Sequence, residues 1–157
     1  MIWQGTVLHL FTAADASAIM EEHDVVRAIA GVGLDGDRYA EERGTYSSKP
    51  HPGRQVTLFE IETLESIARD YQLTLAPAET RRNVITRGVP LNHLVGKHLR
   101  VGPVTLLGDR LSVPCQYLAD LLGKPVFKPL LHRAGLGCCV VSGGDIRVGD
   151  LVVPESP

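Results

Sequence analysis

The side chains best equipped for chemistry in this chain are one cysteine and a set of arginines. Cys115 sits in the run Leu111-Ser112-Val113-Pro114-Cys115-Gln116. It follows a strand-like stretch, Val104 to Leu107, and precedes a helix-like one, Gln116 to Leu122. Backbone N–H groups at such a junction favour a thiolate, which can attack an electrophile, carry a sulfur or bind a soft metal. Cysteine is also among the most buried residue types and packs like a small hydrophobe, so position alone leaves a plain core role open. Pro114 blocks backward extension of the helix and fixes the chain just ahead of the thiol.

The arginines come in three settings. In Gly36-Asp37-Arg38 the glycine lets backbone approach a ligand and Arg38 can grip a phosphate with two parallel N–H groups, but a turn with an Asp37–Arg38 ion pair is the simpler account of the triplet. The same triplet recurs at Gly108-Asp109-Arg110, where the end of a hairpin accounts for it. Arg81-Arg82-Asn83 precedes an apolar strand, so the two arginines are expected to splay to opposite sides, one of them facing inward or toward a cleft. An inward arginine needs an anion, because an unpaired buried charge costs several kcal/mol, and the anion is either a protein carboxylate or a ligand phosphate. Asn83 offers a donor and an acceptor to a heterocycle edge. Arg133 lies in His132-Arg133-Ala134-Gly135, which reads as a helix C-cap with a cation near the terminus and within reach of an anion. No phosphate-binding P-loop, nucleophile elbow or His-Glu-x-x-His helix occurs. What remains is one sulfur among arginines, which suits an anionic, phosphate-bearing ligand with a soft centre.

The elements that must position these groups are those of one domain over residues 1–157. The net charge of -2, with no Lys/Arg run, argues against a nucleic-acid partner. No apolar run is long enough for a membrane span, and the N-terminus does not read as a signal peptide. Three cysteines without a Cys-x-x-Cys, and six scattered histidines, point to a reducing, cytoplasmic setting without a structural metal.

Strands are expected at Gly5 to Phe11, Asp24 to Ala30, Arg54 to Phe59 and Arg82 to Thr86. His98 to Val101 and Val104 to Leu107 form a hairpin through Gly102-Pro103. Cys138 to Ser142 pairs with Ile146 to Val153 through Gly143-Gly144-Asp145. One-face spacing at Ile61, Leu64, Ile67, Ala68 and Tyr71 predicts a helix, with shorter helices at Leu91 to Leu94, Gln116 to Leu122 and Phe127 to His132. Gly31 to Gly53 reads as a long functional loop. About seven short strands with few βα alternations predict a mainly β chain with flanking helices (α+β), built on a small mixed, largely antiparallel barrel that removes exposed edges.

The series Gly33-Leu34-Asp35-Gly36-Asp37-Arg38, Arg54-Gln55-Val56-Thr57-Leu58, Arg81-Arg82-Asn83-Val84, Gly88-Val89-Pro90-Leu91, Pro114-Cys115 and Gly149-Asp150, in that order, resembles the MOSC family, named for the C-terminal domain of molybdenum-cofactor sulfurases. The resemblance runs from about Gly5 to Val153 and is to short, stand-alone bacterial members. It implies a barrel-like fold and a cleft for the molybdenum cofactor, with Cys115 as catalytic residue and metal ligand. Asp37, Arg38, Arg54, Arg82, Asn83 and Arg133 would then serve the cofactor. The implied reaction is reduction of N-hydroxylated or related small molecules. The alternatives are sulfur transfer through a persulfide on Cys115 and a cofactor carrier without turnover. The partner implied is a separate electron-donor protein or a cysteine desulfurase, and no pyridoxal phosphate is expected on this chain. Ser112 stands where short relatives often carry a second cysteine, which leaves a single thiolate to act alone.

Overall fold

A three-residue step in the first strand shows how the barrel is threaded. In β1 (Gly5–Thr12) both Val7 and Leu10 point into the barrel core, which simple alternation forbids. A register shift between Val7 and His9 inserts the extra residue and turns Leu10 inward. Phe11 then faces the opposite side, into a second apolar cluster outside the barrel.

The computed structural model describes residues 2–48 and 51–156. After β1 come β2 (Glu21–His23), β3 (Val25–Ile29), β4 (Gly33–Leu34), β5 (Val56–Glu60) and α1 (Ile61–Tyr71). There follow β6 (Val84–Arg87), β7 (His98–Val101), β8 (Val104–Leu111) and α2 (Gln116–Leu122). The chain ends with β9 (Leu136–Ser142), β10 (Gly144–Arg147) and β11 (Leu151–Pro154). The main sheet runs β11-β7-β8-β9-β5-β6-β1-β2, and β11 also pairs with β1. That last pairing closes seven strands into a barrel, with β2 appended to its flank. Among the described residues only β5 and β6 run parallel; the other pairs are antiparallel. The parallel pair requires a crossover, and α1 supplies it. A small second sheet, β10-β3-β4, packs beside the barrel.

The barrel interior is filled by Val7, Leu10, Leu58, Val84, Leu99, Leu106 and Val152 among others. The second cluster joins the outward faces of β1, β5 and β6 (Phe11, Phe59, Ile85) to α1 and α2 through Ile67 and Leu118. On α1 the buried stripe is narrower than the expected one: Leu64 and Ile67 are buried, while Ala68 and Tyr71 are exposed. No helix among the described residues is long and apolar enough to cross a membrane.

Several expectations need correction. Cys138–Ser142 does not pair with the segment after Gly143. β9 lies between β8 and β5, β10 pairs with β3, and β11 returns to the barrel. The chain is turned between them at Asp150, whose carboxylate accepts from the Arg147 N–H at 2.8 Å while its own N–H donates to the Arg147 carbonyl. Residues 127–132 form consecutive turns, not a helix, and His132 closes them with a left-handed φ of 66°. Gly108-Asp109-Arg110 lies inside β8 at a bulge, not at a hairpin end. A Cβ at Gly108 would sit 2.1 Å from the Leu94 carbonyl oxygen, so the glycine serves packing. Arg54 falls in a 3₁₀ turn, Pro52–Arg54, ahead of β5, and Arg82 precedes β6.

Candidate functional site

Cys115 is the N-cap of α2, in extended conformation (φ -133°, ψ 157°), directly after buried Pro114. The thiol is half-buried and lines a cavity of about 380 Å³. That volume is within the usual range for small-ligand sites. The cavity opens between the β8–α2 connection, the Pro52–Arg54 turn, the 38–46 segment and the residues ahead of β6. Five arginines line it: Arg38, Arg54, Arg81, Arg82 and Arg110. No aspartate or glutamate is among its described lining residues. Leu111, Val113 and Leu118 form an apolar wall on the Cys115 side, and Ser112 sits in the same wall.

The arginines are held from behind by groups that leave charge facing the cavity. Arg38 is buried; its Nη1 donates to the Asp37 carboxylate at 3.2 Å and its Nη2 to the Arg81 carbonyl at 3.2 Å. Arg82 Nε donates to the Ala134 carbonyl at 3.0 Å. Arg81 Nη1 donates to the Ala18 carbonyl at 2.7 Å, while its Nη2 is buried with no hydrogen-bond partner among the described residues. The Arg54 guanidinium stacks over the Tyr46 ring at 5.5 Å, and that of Arg38 over Tyr39 at 4.9 Å.

Burial, and like charge after it, shows in the titration behaviour of the arginines. Burial, then the nearby Arg38 charge, pulls the Arg82 guanidinium down to about 10. Burial and Arg38 lower Arg81 as well. Both shifts come first from burial and then from a neighbouring guanidinium, a setting in which a bound anion would favour the charged form. Tyr46 is pushed up to about 12, first by its hydrogen bond with Cys115 and then by burial, so its phenol stays protonated beside the sulfur. Burial works to raise Tyr117, but hydrogen bonds with Ser17 and Thr45 and the charges of Arg81 and Arg38 outweigh it, and the net shift is downward.

The residues expected to serve the ligand separate into two groups. Cys115, Arg38, Arg54 and Arg82 come together at the cavity. Asp37, Asn83 and Arg133 do not line it. Asp37 is fully buried and accepts from the Ala13 N–H at 3.1 Å as well as from Arg38, so it positions the neighbouring arginine. The ion-pair reading of that triplet is thus what the geometry shows, and Arg38 in addition lines the cavity. Asn83 spends its amide inside the fold: Oδ1 accepts from the Thr57 N–H at 3.0 Å, and Nδ2 donates to the Phe11 carbonyl at 3.1 Å. Arg133 Nε donates to the Pro129 carbonyl at 2.7 Å.

Arg81 and Arg82 do not splay. Arg81 adopts a left-handed conformation (φ 57°, ψ 28°) after the 3₁₀ turn Pro77–Thr80, which breaks strand alternation and turns both side chains to the cavity. A strained backbone of this kind at a non-glycine residue recurs at ligand sites. Tyr39, Tyr46, Tyr117 and Arg110 were not singled out from the sequence. Tyr117, two residues beyond Cys115 at the start of a predicted helix, carried a positional signal; Tyr39 and Tyr46 lie in the long loop read as functional, and Arg110 in the recurring Gly-Asp-Arg triplet read as a hairpin end. Cys138 is fully buried, and burial pushes its thiol up, which keeps it inert packing; Cys139, its neighbour on the strand, is half-buried.

A metal at this site would have to arrive with most of its own ligands. No group of three or more His, Cys, Asp or Glu among the described residues could cage an ion. The donor set is one thiol plus a cationic, hydrogen-bonding wall with an orphan guanidinium nitrogen. That set fits a metal already carried by a phosphate-bearing organic ligand.

Comparison with known proteins agrees with this architecture. The chain is similar in structure to the YuaD protein of Bacillus subtilis (TM-score 0.81, 20% identity, covering 99% of this chain and 100% of that one). It is also similar to YiiM of Geobacillus stearothermophilus (TM-score 0.74, 13% identity, 97% of this chain and 75% of that one). YiiM of Escherichia coli gives a TM-score of 0.67 at 18% identity, over 100% of this chain and 71% of that one. At such identities the likeness concerns the fold. No curated protein matches the chain by sequence. The profile of the MOSC domain matches residues 45–153, well over half of the chain, and with it the barrel and the cavity around Cys115 find one explanation: the chain belongs to the MOSC domain family, a family associated with molybdenum-cofactor binding.

Proposed function

We propose that this protein binds the molybdenum cofactor in the Cys115 cavity and reduces N-hydroxylated or related small molecules there. The observation that carries the reading is the pairing of a single half-buried thiol with five lining arginines and no lining carboxylate. The bound cofactor would supply the metal that accepts an oxygen atom and passes electrons. Every other part of the task falls to side chains of this chain. Cys115 gives the protein's ligand to the metal, and its position is set by Pro114 and the start of α2. Tyr46 lines the cavity with Cys115 and keeps its phenol proton there, a donor available to the sulfur. Arg38, Arg81 and Arg82 hold the phosphate-bearing end, with Arg54 and Arg110 nearer the mouth. Buried Leu118 and half-buried Leu111 give the sulfur side an apolar lining. Electrons come from a separate redox protein, in the reducing compartment that three free cysteines suit.

The test is metal analysis of protein from a cofactor-competent host. Wild type should hold about one molybdenum per chain, and Cys115→Ser should lose most of it. Equal molybdenum in both would sink the proposed ligand. Molybdenum without reduction of any N-hydroxylated compound, given an electron donor, would reduce the protein to a carrier.

A further inference from the structure

Residues 13–20 form a strap between β1 and β2, tied at several points to cavity residues and to Asp37 beside Arg38. Ala13 N–H donates to Asp37 at 3.1 Å, and the Arg38 N–H donates to the Ala13 carbonyl at 2.6 Å. The Ser17 and Tyr117 hydroxyls share a hydrogen bond across 100 residues of chain. Ser17 itself is left-handed (φ 62°), and at the next turn of the strap Ile19 stands 87% exposed. The strap therefore has little apolar burial of its own to hold it between Ala13 and Met20, and depends on these polar ties.

The decisive contact is Arg81. It is only 9% exposed and lines the cavity; Nη1 is tied to the strap at the Ala18 carbonyl, and Nη2 is buried without a partner. A buried donor left unpaired is costly, and an oxyanion is the group that would satisfy it. We propose that Arg81 is a two-handed clamp: an oxyanion taken by Nη2 orients the guanidinium so that Nη1 locks the strap at Ala18. Occupancy of the cavity and ordering of the strap are then one linked equilibrium. The inference rests on the anion-binding half of the function proposed above and not on the metal. The shared chemistry is a phosphate group, whether on a cofactor or free in solution.

The clamp is tested by hydrogen exchange over residues 14–19. In the metal-free chain, inorganic phosphate should slow exchange there about tenfold, saturably, a coupling of ordinary size. Protection in chain loaded by a cofactor-competent host, without added phosphate, identifies the cofactor as the source; protection by free phosphate alone identifies the free ion; either supports the clamp. No protection in either arm overturns it. Arg81→Asn keeps a residue that tolerates the left-handed backbone and should abolish protection even at saturating phosphate. Retained protection in that variant also overturns the clamp. Arg82→Gln should weaken phosphate binding yet reach full protection at saturation; loss of protection there would assign the coupling to cavity charge at large and refute a specific role for Arg81. Linkage is reciprocal, so Ser17→Ala, at an exposed position, should lower phosphate affinity several-fold, and unchanged affinity would count against the proposal. Loss of molybdenum with strap protection intact would refute the metal reading alone.

Discussion

Replacing Asn83 with alanine tests whether this residue serves a ligand or the fold. Its side chain is 2% exposed and ties three strands: it bonds the Thr57 N–H of β5 and the Phe11 carbonyl of β1 while standing just ahead of β6. Alanine leaves two buried backbone groups without partners. The Thr57 hydroxyl adapts, since it also accepts from the Asn83 N–H at 3.2 Å. Each orphaned group costs about 1–3 kcal/mol, less for a carbonyl that retains a second lone pair, so a loss of roughly 3 kcal/mol is expected. With a urea slope of about 2 kcal/mol/M, the unfolding midpoint should fall by about 1.5 M. Urea titration followed by circular dichroism reads this directly. Asn83→Asp sharpens the test: it retains the acceptor for Thr57 but, ionised, sets an oxygen against the Phe11 carbonyl. It should lose more stability at pH 7 than at pH 4, where a protonated carboxyl can donate. A stability loss for Asn83→Ala below about 1 kcal/mol, together with lost cofactor binding, would refute the structural role and return Asn83 to the ligand.

Further expectations concern pH and close packing. Burial, then the Glu62 charge, pushes the half-buried Glu60 carboxyl up to about 7 from an ordinary 4.5. Folding thus favours its protonated form, so the stability it contributes is complete below about pH 4.5 and lost as pH rises through 7. After allowing for screening by water, Glu60→Gln should gain about 1–2 kcal/mol at pH 8 and almost nothing at pH 4.5; a gain that does not change with pH would dismiss the cause. Gly137 of β9 faces the 3₁₀ turn that carries Arg54, and a Cβ there would come 2.1 Å from the Gly53 carbonyl oxygen. Gly137→Ala should cost about 1–3 kcal/mol and weaken phosphate binding by displacing that turn, as thermal unfolding and calorimetry would show.

Much of the local structure was legible in the residues. The Gly102-Pro103 hairpin, α1 and the strand-to-helix setting of Cys115 follow from turn chemistry and apolar spacing, which are short-range properties. The hairpin expected at Gly143-Gly144-Asp145 failed for an instructive reason. A glycine turn says that the chain reverses, not which strand it meets afterwards. Here β10 is taken by β3 from another part of the chain, and β9 is already flanked by β8 and β5.

The site divides along the same line. Residue types alone pointed to one thiol among arginines, because the adjacent Cys138 and Cys139 read as strand packing and no metal cage or phosphate loop is written in the chain. Which arginines meet that thiol was a matter for the tertiary structure. A left-handed Arg81 brings two adjacent arginines to one cavity, where strand alternation would have parted them. Asn83, polar and well placed in sequence, is consumed by strand ties, and Arg133 is held by the Pro129 carbonyl. Side-chain chemistry belongs to the residue, but its availability depends on which polar groups the closed barrel must satisfy first, and that demand exists only once distant strands have met.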